Sequence, residues 1–136
     1  MSKRDKEIYT QYRELNRAGW EIPNTHEILC RGNGGSESLS HVVAKTVAAK
    51  VCINAGYRVS SEVENQQGEA DILAYGHESR NPIVIELENG LTDEVKSKKL
   101  SQYLVGPVRE VYVIDLDDSP SDPESLAGHI QEVTGL

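Results

Sequence analysis

The sequence contains no phenylalanine, few cysteines and no long apolar segment, and each absence limits what the chain can be. None of its 136 residues is Phe, so we expect a core of valine, isoleucine, leucine and alanine. No apolar run approaches the ~20 residues that a membrane-spanning helix needs. The two cysteines, Cys30 and Cys52, do not have the spacing of a metal site, so two reduced thiols are expected.

The length and the N-terminus predict a soluble protein with one domain. Residues 1–6 are charged and lack the apolar segment of a signal peptide, so we expect the protein in the cytoplasm, without a membrane partner. There is no internal repeat or low-complexity tract, and 15.0 kDa suits a single domain over residues 1–136. Its predicted parts are an N-terminal helical extension (1–31), a core (36–116) and a C-terminal helix (121–136).

Acidic residues outnumber basic ones, but they are unevenly distributed. The chain has 22 Asp and Glu against 14 Lys and Arg, a net charge of −8. Residues 115–136 hold six of these acids and no Lys or Arg, so residues 1–114 have a balance of only −2. The net charge therefore does not exclude a nucleic-acid partner, particularly if a divalent cation binds some of the remaining acids.

Three short antiparallel strands are predicted over residues 58–64, 69–75 and 82–88, because apolar and polar side chains alternate in each. Turns at positions 66–67 and 78–79 place six carboxylates on one face in two rows. The first row contains Glu62, Asp71 and Glu86, and the second contains Glu64, Glu69 and Glu88. Like charges opposite one another destabilise a sheet, so this face either lies in water or binds a cation, and we take the cation as the hypothesis. The opposite face is apolar and contains Val59, Val63, Ala70, Ile72, Ala74, Ile83, Ile85 and Leu87.

Two helices are predicted before these strands. Residues 3–18 form the first, as an appendage to the core. The glycines at 32–35 are followed by no Lys-Ser/Thr pair, so a hinge is a better interpretation than a phosphate loop. Ser36 or Ser38 then caps a second helix that runs to about Asn54. The apolar side with which this helix should pack on the sheet contains Leu39, Val42, Val43, Val47, Val51 and Ile53.

A stripe on the second helix, Glu37, His41 and Lys45 at intervals of four residues, has two open interpretations. It is either a solvated helix edge or a row of side chains beside the carboxylates.

A basic helix is predicted from Thr92 to about residue 105. A strand over 108–116 follows and should lie parallel to residues 82–88, because such strand–helix–strand connections are right-handed crossovers. A final helix is predicted over 122–133. The residues of the basic helix suited to phosphate contacts are Lys96, Lys98, Lys99 and Gln102.

This order of elements resembles the PD-(D/E)XK nuclease superfamily, the fold of many restriction endonucleases and Holliday junction resolvases. The matching residues are Asp71 in Gly-Glu-Ala-Asp-Ile-Leu and Glu86 in Ile-Val-Ile-Glu-Leu-Glu. The resemblance covers roughly residues 37–116. It implies an α/β (α+β) fold with an αβββαβ core, a mixed sheet flanked by helices, to which the N-terminal helix is an addition.

The resemblance also implies roles for named residues. Asp71 matches the metal-binding Asp and Glu86 the first acid of the (D/E)XK element. Glu37 is the candidate for an acid on the first core helix. A subset of the family has a His-x-x-x-Lys on that helix and a Glu on the first strand, matched here by His41, Lys45 and Glu62.

Position 88 departs from the family pattern, because Glu88 stands where the motif has a Lys that helps to activate water. Three outcomes are open. Glu88 helps to bind a second metal ion, a lysine arrives from elsewhere, or the site has lost its chemistry. The candidate lysines are Lys45, Lys98 and Lys99.

We therefore expect a Mg²⁺- or Mn²⁺-dependent deoxyribonuclease, an endonuclease or resolvase-like enzyme and possible homodimer. The expected catalytic residues are Asp71, Glu86, Glu88, Lys98 and Lys99. The expected metal ligands are Asp71, Glu86, Glu88 and Glu62. The expected DNA contacts are Lys45, His41, Lys96 and Gln102, with Glu37 as the helix acid. The alternatives are an inactive nuclease-fold module that binds DNA or protein in a repair, defence or viral complex, and a small acidic interaction protein.

Overall fold

The computed structural model describes residues 2–23 and 37–136, which form four α-helices and a four-stranded mixed sheet, an α+β fold. The helices are α1 (Lys3–Arg17), α2 (Leu39–Asn54), α3 (Asp93–Tyr103) and α4 (Pro123–Thr134). The strands are β1 (Arg58–Asn65), β2 (Gly68–Tyr75), β3 (Ile83–Glu88) and β4 (Glu110–Asp115), and a 3₁₀-helix (Leu116–Asp118) follows β4. The predicted hinge at 32–35 and Ser36 lie outside the described residues. Within those two ranges, no helix is both long enough and apolar enough to cross a membrane.

The strands have the predicted order and register. The sheet runs β1-β2-β3-β4, with β1, β2 and β3 antiparallel and β4 parallel to β3. Asn65 pairs with Gly68 across the first turn, and Ile72 pairs with Ile85 between β2 and β3. Both pairings are those that the positions of the two turns predict, so the acidic ends of β2 and β3 are neighbours.

Helix caps fix where the two helices beside the acidic residues begin. The Ser38 hydroxyl accepts a hydrogen bond from the His41 N–H at 3.2 Å, and the Thr92 hydroxyl accepts one from the Val95 N–H at 3.2 Å. Each cap satisfies a backbone donor of the first turn that has no partner within the helix. Both predicted caps are confirmed, and the first places Glu37 directly before α2.

Helices cover both faces of the sheet. Helices α2 and α4 pack on one face, whose apolar residues are Val59, Ile72, Ala74, Ile83, Ile85 and Leu87. Side chains from α1, α3 and the segment after α1 pack on the other face, around Leu73 and Val84. Leu15 and Trp20 are 0% and 1% exposed in this second cluster, and the Trp20 indole donates to the Val105 carbonyl at 3.3 Å. The prediction that the first helix is an appendage is therefore wrong.

The buried side of α2 also differs from the predicted one. Leu39 is 79% exposed and Ile53 51% exposed. Of the residues on the predicted side, Val51 is buried and Val47 packs partly buried against the core, but the other side chains that α2 buries are Ala44, Lys45, Ala48, Ala49 and Cys52. Small alanine side chains let a helix lie close to a sheet, so the helix turns this side inward. Lys45 is carried into the interior with them.

Glu62 interrupts β1, since its backbone is left-handed with φ of 53°. Such a conformation is uncommon for a residue with a side chain. The ladder pairs Ser61 with Ile72 and Val63 with Ala70, but it does not pair Glu62 with Asp71. Because the twist breaks the alternation, Val63 and Ala70 pack in the cluster of Trp20, not against α2 as predicted.

Candidate active site

A pocket of about 350 Å³ lies beside the acidic ends of β2 and β3, between α3 and the start of α2. Except for Leu87, its lining residues have polar side chains. They are Glu37, Ser38, His41, Glu69, Asp71, Glu86, Leu87, Glu88, Asn89 and Lys99. The structure thus brings together residues that lie up to 62 positions apart in the sequence.

The carboxylates of Asp71 and Glu86 replace the backbone ladder where β2 and β3 separate. The paired residues extend only to Ile72 and Ile85. Beyond them, Oε2 of Glu86 accepts a hydrogen bond from the Asp71 N–H at 2.6 Å, and Oδ2 of Asp71 accepts one from the Leu87 N–H at 2.9 Å. Each carboxylate is therefore fixed by the backbone of the neighbouring strand.

The two carboxyl groups differ in how readily they ionise. Glu86 is 1% exposed, and burial together with the charge of Asp71 raises its pKa to about 8. Burial alone would raise the pKa of Asp71 too, but the nearby His41 imidazole and the hydrogen bond from the Leu87 N–H outweigh it, and the pKa is lowered. At neutral pH Asp71 is therefore the ionised member, and a divalent cation bound by the pair would favour ionisation of Glu86 as well.

Lys99 of α3 supplies a positive charge to this site. Its Nζ lies 3.0 Å from Oε1 of Glu86 and 3.1 Å from Oε1 of Glu88. Burial would lower the pKa of Lys99, but the charge of Glu86 outweighs it and the pKa is raised. Lys99 therefore keeps its proton at pH 7, and Glu86 is the member of the pair whose protonation varies. Of the three candidate lysines, Lys99 is the one beside Glu88.

Helix α3 is held in place by contacts with the neighbouring hairpin. The Tyr103 hydroxyl donates to the Glu69 carbonyl at 2.7 Å, and the Gln102 amide donates to the Gln67 carbonyl at 3.1 Å. Lys99 lies one turn before Tyr103, on the same side of α3. Gln102, expected to contact DNA, thus binds the β1–β2 turn in the structure, while Lys96 and Lys98 are exposed on α3.

His41 connects α2 to the carboxylates. Its Nδ1 lies 2.6 Å from Oε2 of Glu37, and its Nε2 lies 3.6 Å from Oδ2 of Asp71 and 3.3 Å from the Leu87 carbonyl oxygen. Against the effect of burial, Asp71 and then Glu37 raise the pKa of His41 to about 9. The imidazole is therefore cationic at neutral pH and donates from both nitrogens.

Lys45 lies deeper, beneath His41. It is 0% exposed, and its Nζ donates to Glu37 at 2.9 and 3.1 Å and to Oε1 of Glu62 at 2.5 Å. Burial would lower the pKa of Lys45, but the carboxylates of Glu62 and Glu37 outweigh it and the pKa is raised. The stripe on α2 is thus beside the carboxylates and is not a solvated edge. We expected Lys45 to contact DNA and Glu62 to bind the metal, but in the structure these two side chains bind each other.

The residues present fit a metal ion that keeps most of its water. Across residues 2–23 and 37–136, His, Cys, Asp and Glu side chains do not form a group of three that could hold an ion by themselves. Mg²⁺ usually binds through one or two carboxylates, several waters and substrate phosphates, and does not need an all-protein cage. Asp71 and Glu86 suit that mode of binding, with Glu88 at the rim, where its side chain is 29% exposed.

Some contributors to the pocket were not predicted from the sequence. The side chains of Asn89 and Ser38 line it. Asn89 directly follows Glu88, so its position was available in the sequence, whereas Ser38 was interpreted only as a cap. The backbone N–H and carbonyl of Leu87, which bind Asp71 and His41, leave no signal in a sequence.

Comparisons with known proteins do not identify a relative. No protein-family model matches the chain, and searches of curated proteins and of solved structures find no match.

Proposed function

We propose that this protein is a metal-dependent deoxyribonuclease that hydrolyses phosphodiester bonds, built on the PD-(D/E)XK pattern. The observation that carries the proposal is the meeting of Asp71, Glu86 and Lys99 in one polar pocket from β2, β3 and α3. Two adjacent carboxylates and an ammonium group match the needs of a reaction at a phosphate group, which requires oxygen ligands and positive charge.

Asp71 and Glu86 are the residues that would hold Mg²⁺ or Mn²⁺, and Glu88 lies next to them. When bound, such an ion polarises the phosphoryl oxygen and makes a bound water more acidic. The backbone N–H groups of Leu87 and Asp71 orient the two carboxylates. Lys99 holds its ammonium next to Glu86, where it stabilises the negative charge that develops on the phosphate or orients the attacking water.

The exposed lysines of α3 suit contacts with the DNA backbone. Lys96 and Lys98 lie on the same helix as Lys99 and are exposed. Contacts with phosphates position a protein on DNA without reading its sequence. A DNA substrate also agrees with a cytoplasmic location. A homodimer, which the resemblance suggests, is tested by light scattering of the purified protein.

Cleavage of plasmid and four-way-junction DNA tests the proposal. We expect cleavage with Mn²⁺ or Mg²⁺, none with a chelator, and loss of activity in Asp71→Asn. Glu132→Gln is the matched control, because Glu132 is an exposed acid on α4. The absence of cleavage of any DNA form, or full activity in Asp71→Asn, would contradict the enzymatic proposal.

A second candidate function is a nuclease-fold module that binds DNA or a protein without cleaving. Two observations favour this function. Glu88 stands where the motif has a lysine, and both carboxylate oxygens of Glu86 already have hydrogen-bond partners within the protein. Calorimetric titration with Mn²⁺ distinguishes the two. Binding that is lost in Glu86→Gln supports the enzyme, and its absence in the wild type supports the module.

A further inference from the structure

Lys45 is a charged side chain in the interior of a small protein. Its exposure is 0%, and its ammonium lies between Glu37 and Glu62, whose side chains are 3% and 7% exposed. Burial of charge is costly even when the charges are paired, and apolar residues of the same volume often give equal or greater stability. Stability alone therefore does not explain why three charged groups meet beneath the pocket.

The backbone of Glu62 adds to this cost. Its left-handed conformation, with φ of 53°, is one that residues with side chains adopt rarely. Simple alternation along β1 would put Glu62 on the same face as Glu64, away from α2. The twisted backbone instead lets its carboxylate reach Lys45 on α2. The strain thus serves the contact with the buried ammonium.

A continuous set of polar contacts leads from Lys45 to Asp71. Lys45 binds both carboxylate oxygens of Glu37. Oε2 of Glu37 also binds Nδ1 of His41, at 2.6 Å. The other ring nitrogen of His41 lies 3.6 Å from Oδ2 of Asp71. Lys45 therefore fixes Glu37, Glu37 fixes the plane of the imidazole, and the imidazole lies at ion-pair distance from the carboxylate that faces the pocket.

We propose that Lys45 is a positioning residue, which acts through Glu37 and His41 to orient the carboxylate of Asp71 for metal binding. The role of Asp71 in this proposal rests on the proposed function. Groups that orient a metal ligand without touching the metal typically contribute about 10- to 100-fold to metal affinity or activity. Because Lys45 is completely buried, it acts without contact with DNA.

Three variants test this role in the full-length protein. Lys45→Met removes the ammonium. Glu37→Gln is a milder change, because glutamine has nearly the same shape as glutamate, and it serves as the test if Lys45→Met does not fold. Gln11→Leu is the matched control. Gln11 is a buried polar side chain, 8% exposed, that accepts from the Gly76 N–H beyond the other end of β2. It therefore reports the effect of losing buried hydrogen bonds alone.

Affinity for Mn²⁺ and cleavage kinetics are measured on folded samples of each variant. We expect Lys45→Met and Glu37→Gln to weaken Mn²⁺ binding about 10- to 100-fold and to lower kcat, with KM for DNA changed less than about twofold. Gln11→Leu should match the wild type in Mn²⁺ affinity, kcat and KM. Wild-type Mn²⁺ affinity in Glu37→Gln, an equal loss in Gln11→Leu, or a rise in KM with unchanged kcat would each overturn the positioning role.

Nuclear magnetic resonance tests the contacts of Lys45, Glu37 and His41 independently of metal binding and DNA cleavage. The readout, taken without metal or DNA, is the pair of imidazole ¹⁵N signals of His41, which depend on its hydrogen bonds. If the wild type neither binds Mn²⁺ nor cleaves DNA, the proposed function fails. The positioning network is then still supported if these signals shift in Glu37→Gln and Lys45→Met but not in Gln11→Leu, and unchanged signals overturn it.

Discussion

Nζ of Lys99 lies 3.1 Å from Oε1 of Glu88, so a lysine from α3 meets the acid at the position where the PD-(D/E)XK pattern has a lysine. Electrostatic stabilisation depends on where a charge lies and not on the element that carries it. A lysine on a helix can therefore serve a pocket whose strand position has become acidic. This contact makes the difference between position 88 and the PD-(D/E)XK pattern open to experiment.

Removal of the Lys99 charge should lower DNA cleavage without unfolding the protein. We expect Lys99→Met to reduce kcat about 10²- to 10³-fold, the usual effect of losing one group that stabilises developing charge. Glu88→Lys added to Lys99→Met should restore part of the activity, because an ammonium returns to the same end of the pocket. Plasmid nicking at saturating Mn²⁺ measures both. Lys50→Met, the same change at an exposed position of α2, is the control, and equal rates in Lys99→Met and Lys50→Met would refute the role.

Glu86 should be necessary for metal binding. Glu86→Gln keeps the shape of the side chain but removes the negative charge that a hard divalent cation prefers, so Mn²⁺ affinity should fall at least about tenfold. Isothermal titration calorimetry measures it, with Glu132→Gln as the control for loss of one carboxylate. If Glu86→Gln binds Mn²⁺ as the wild type does, Glu86 is not a ligand.

His41 should make the stability of the metal-free protein depend on pH. Asp71 and Glu37 raise its pKa from 6.5 to about 9, so the folded state binds the proton more tightly than the unfolded state does. The resulting stabilisation, about 3 kcal/mol at most, is complete below pH 6.5 and disappears as the pH rises through 9. Urea denaturation with a chelator should therefore show His41→Gln to be less stable than the wild type in acid and nearly equal in alkali. A stability difference that does not change with pH would contradict the raised pKa.

Cys52 should be chemically inert in the folded protein. Burial raises its pKa to about 12, and the thiolate is the reactive form. In a Cys30→Ser background, iodoacetamide should label Cys52 only after guanidinium has unfolded the chain. Mass spectrometry counts the modification. Labelling of the native protein on the timescale of a free thiol would show that α2 does not pack as described.

Trp20 should be required for stability because it joins the segment after α1 to α3. Its ring is 1% exposed and lies 6.0 Å from the ring of Tyr103. We expect Trp20→Ala to lower the free energy of unfolding by about 3–5 kcal/mol. Leu104→Ala, at a residue that is 48% exposed, should cost less than about 1 kcal/mol. Urea denaturation followed by circular dichroism compares them, and equal costs would mean that the second core contributes little.

Much of the fold was predictable because its signals are local. Alternation in the strands fixed the register, since a shift by one residue would have buried the acids and exposed the isoleucines. The predicted caps Ser38 and Thr92 begin the helices on either side of the pocket. These predictions were enough to place Asp71 and Glu86 on neighbouring strands.

What the sequence did not show depends on how elements pack. On α2, large apolar residues such as Leu39 suggested the buried side, but the close approach permitted by Ala48 and Ala49 selected another. The left-handed backbone of Glu62 has no local signature, because neither glycine nor asparagine marks it. Lys99 could be distinguished from Lys98 only once Tyr103 had fixed the rotation of α3.

The attachment of α3 through Tyr103 has a consequence for the behaviour of the protein in solution. The helix contacts β2 by a hydroxyl-to-carbonyl hydrogen bond of 2.7 Å, and it carries the ammonium of the pocket one turn away. A helix of 11 residues is marginal alone and depends on such contacts for its order. Because Tyr103 is also buried beside Trp20, movement of α3 would withdraw Lys99 from the pocket and open the second core at the same time, so the order of the pocket is tied to the packing of that core.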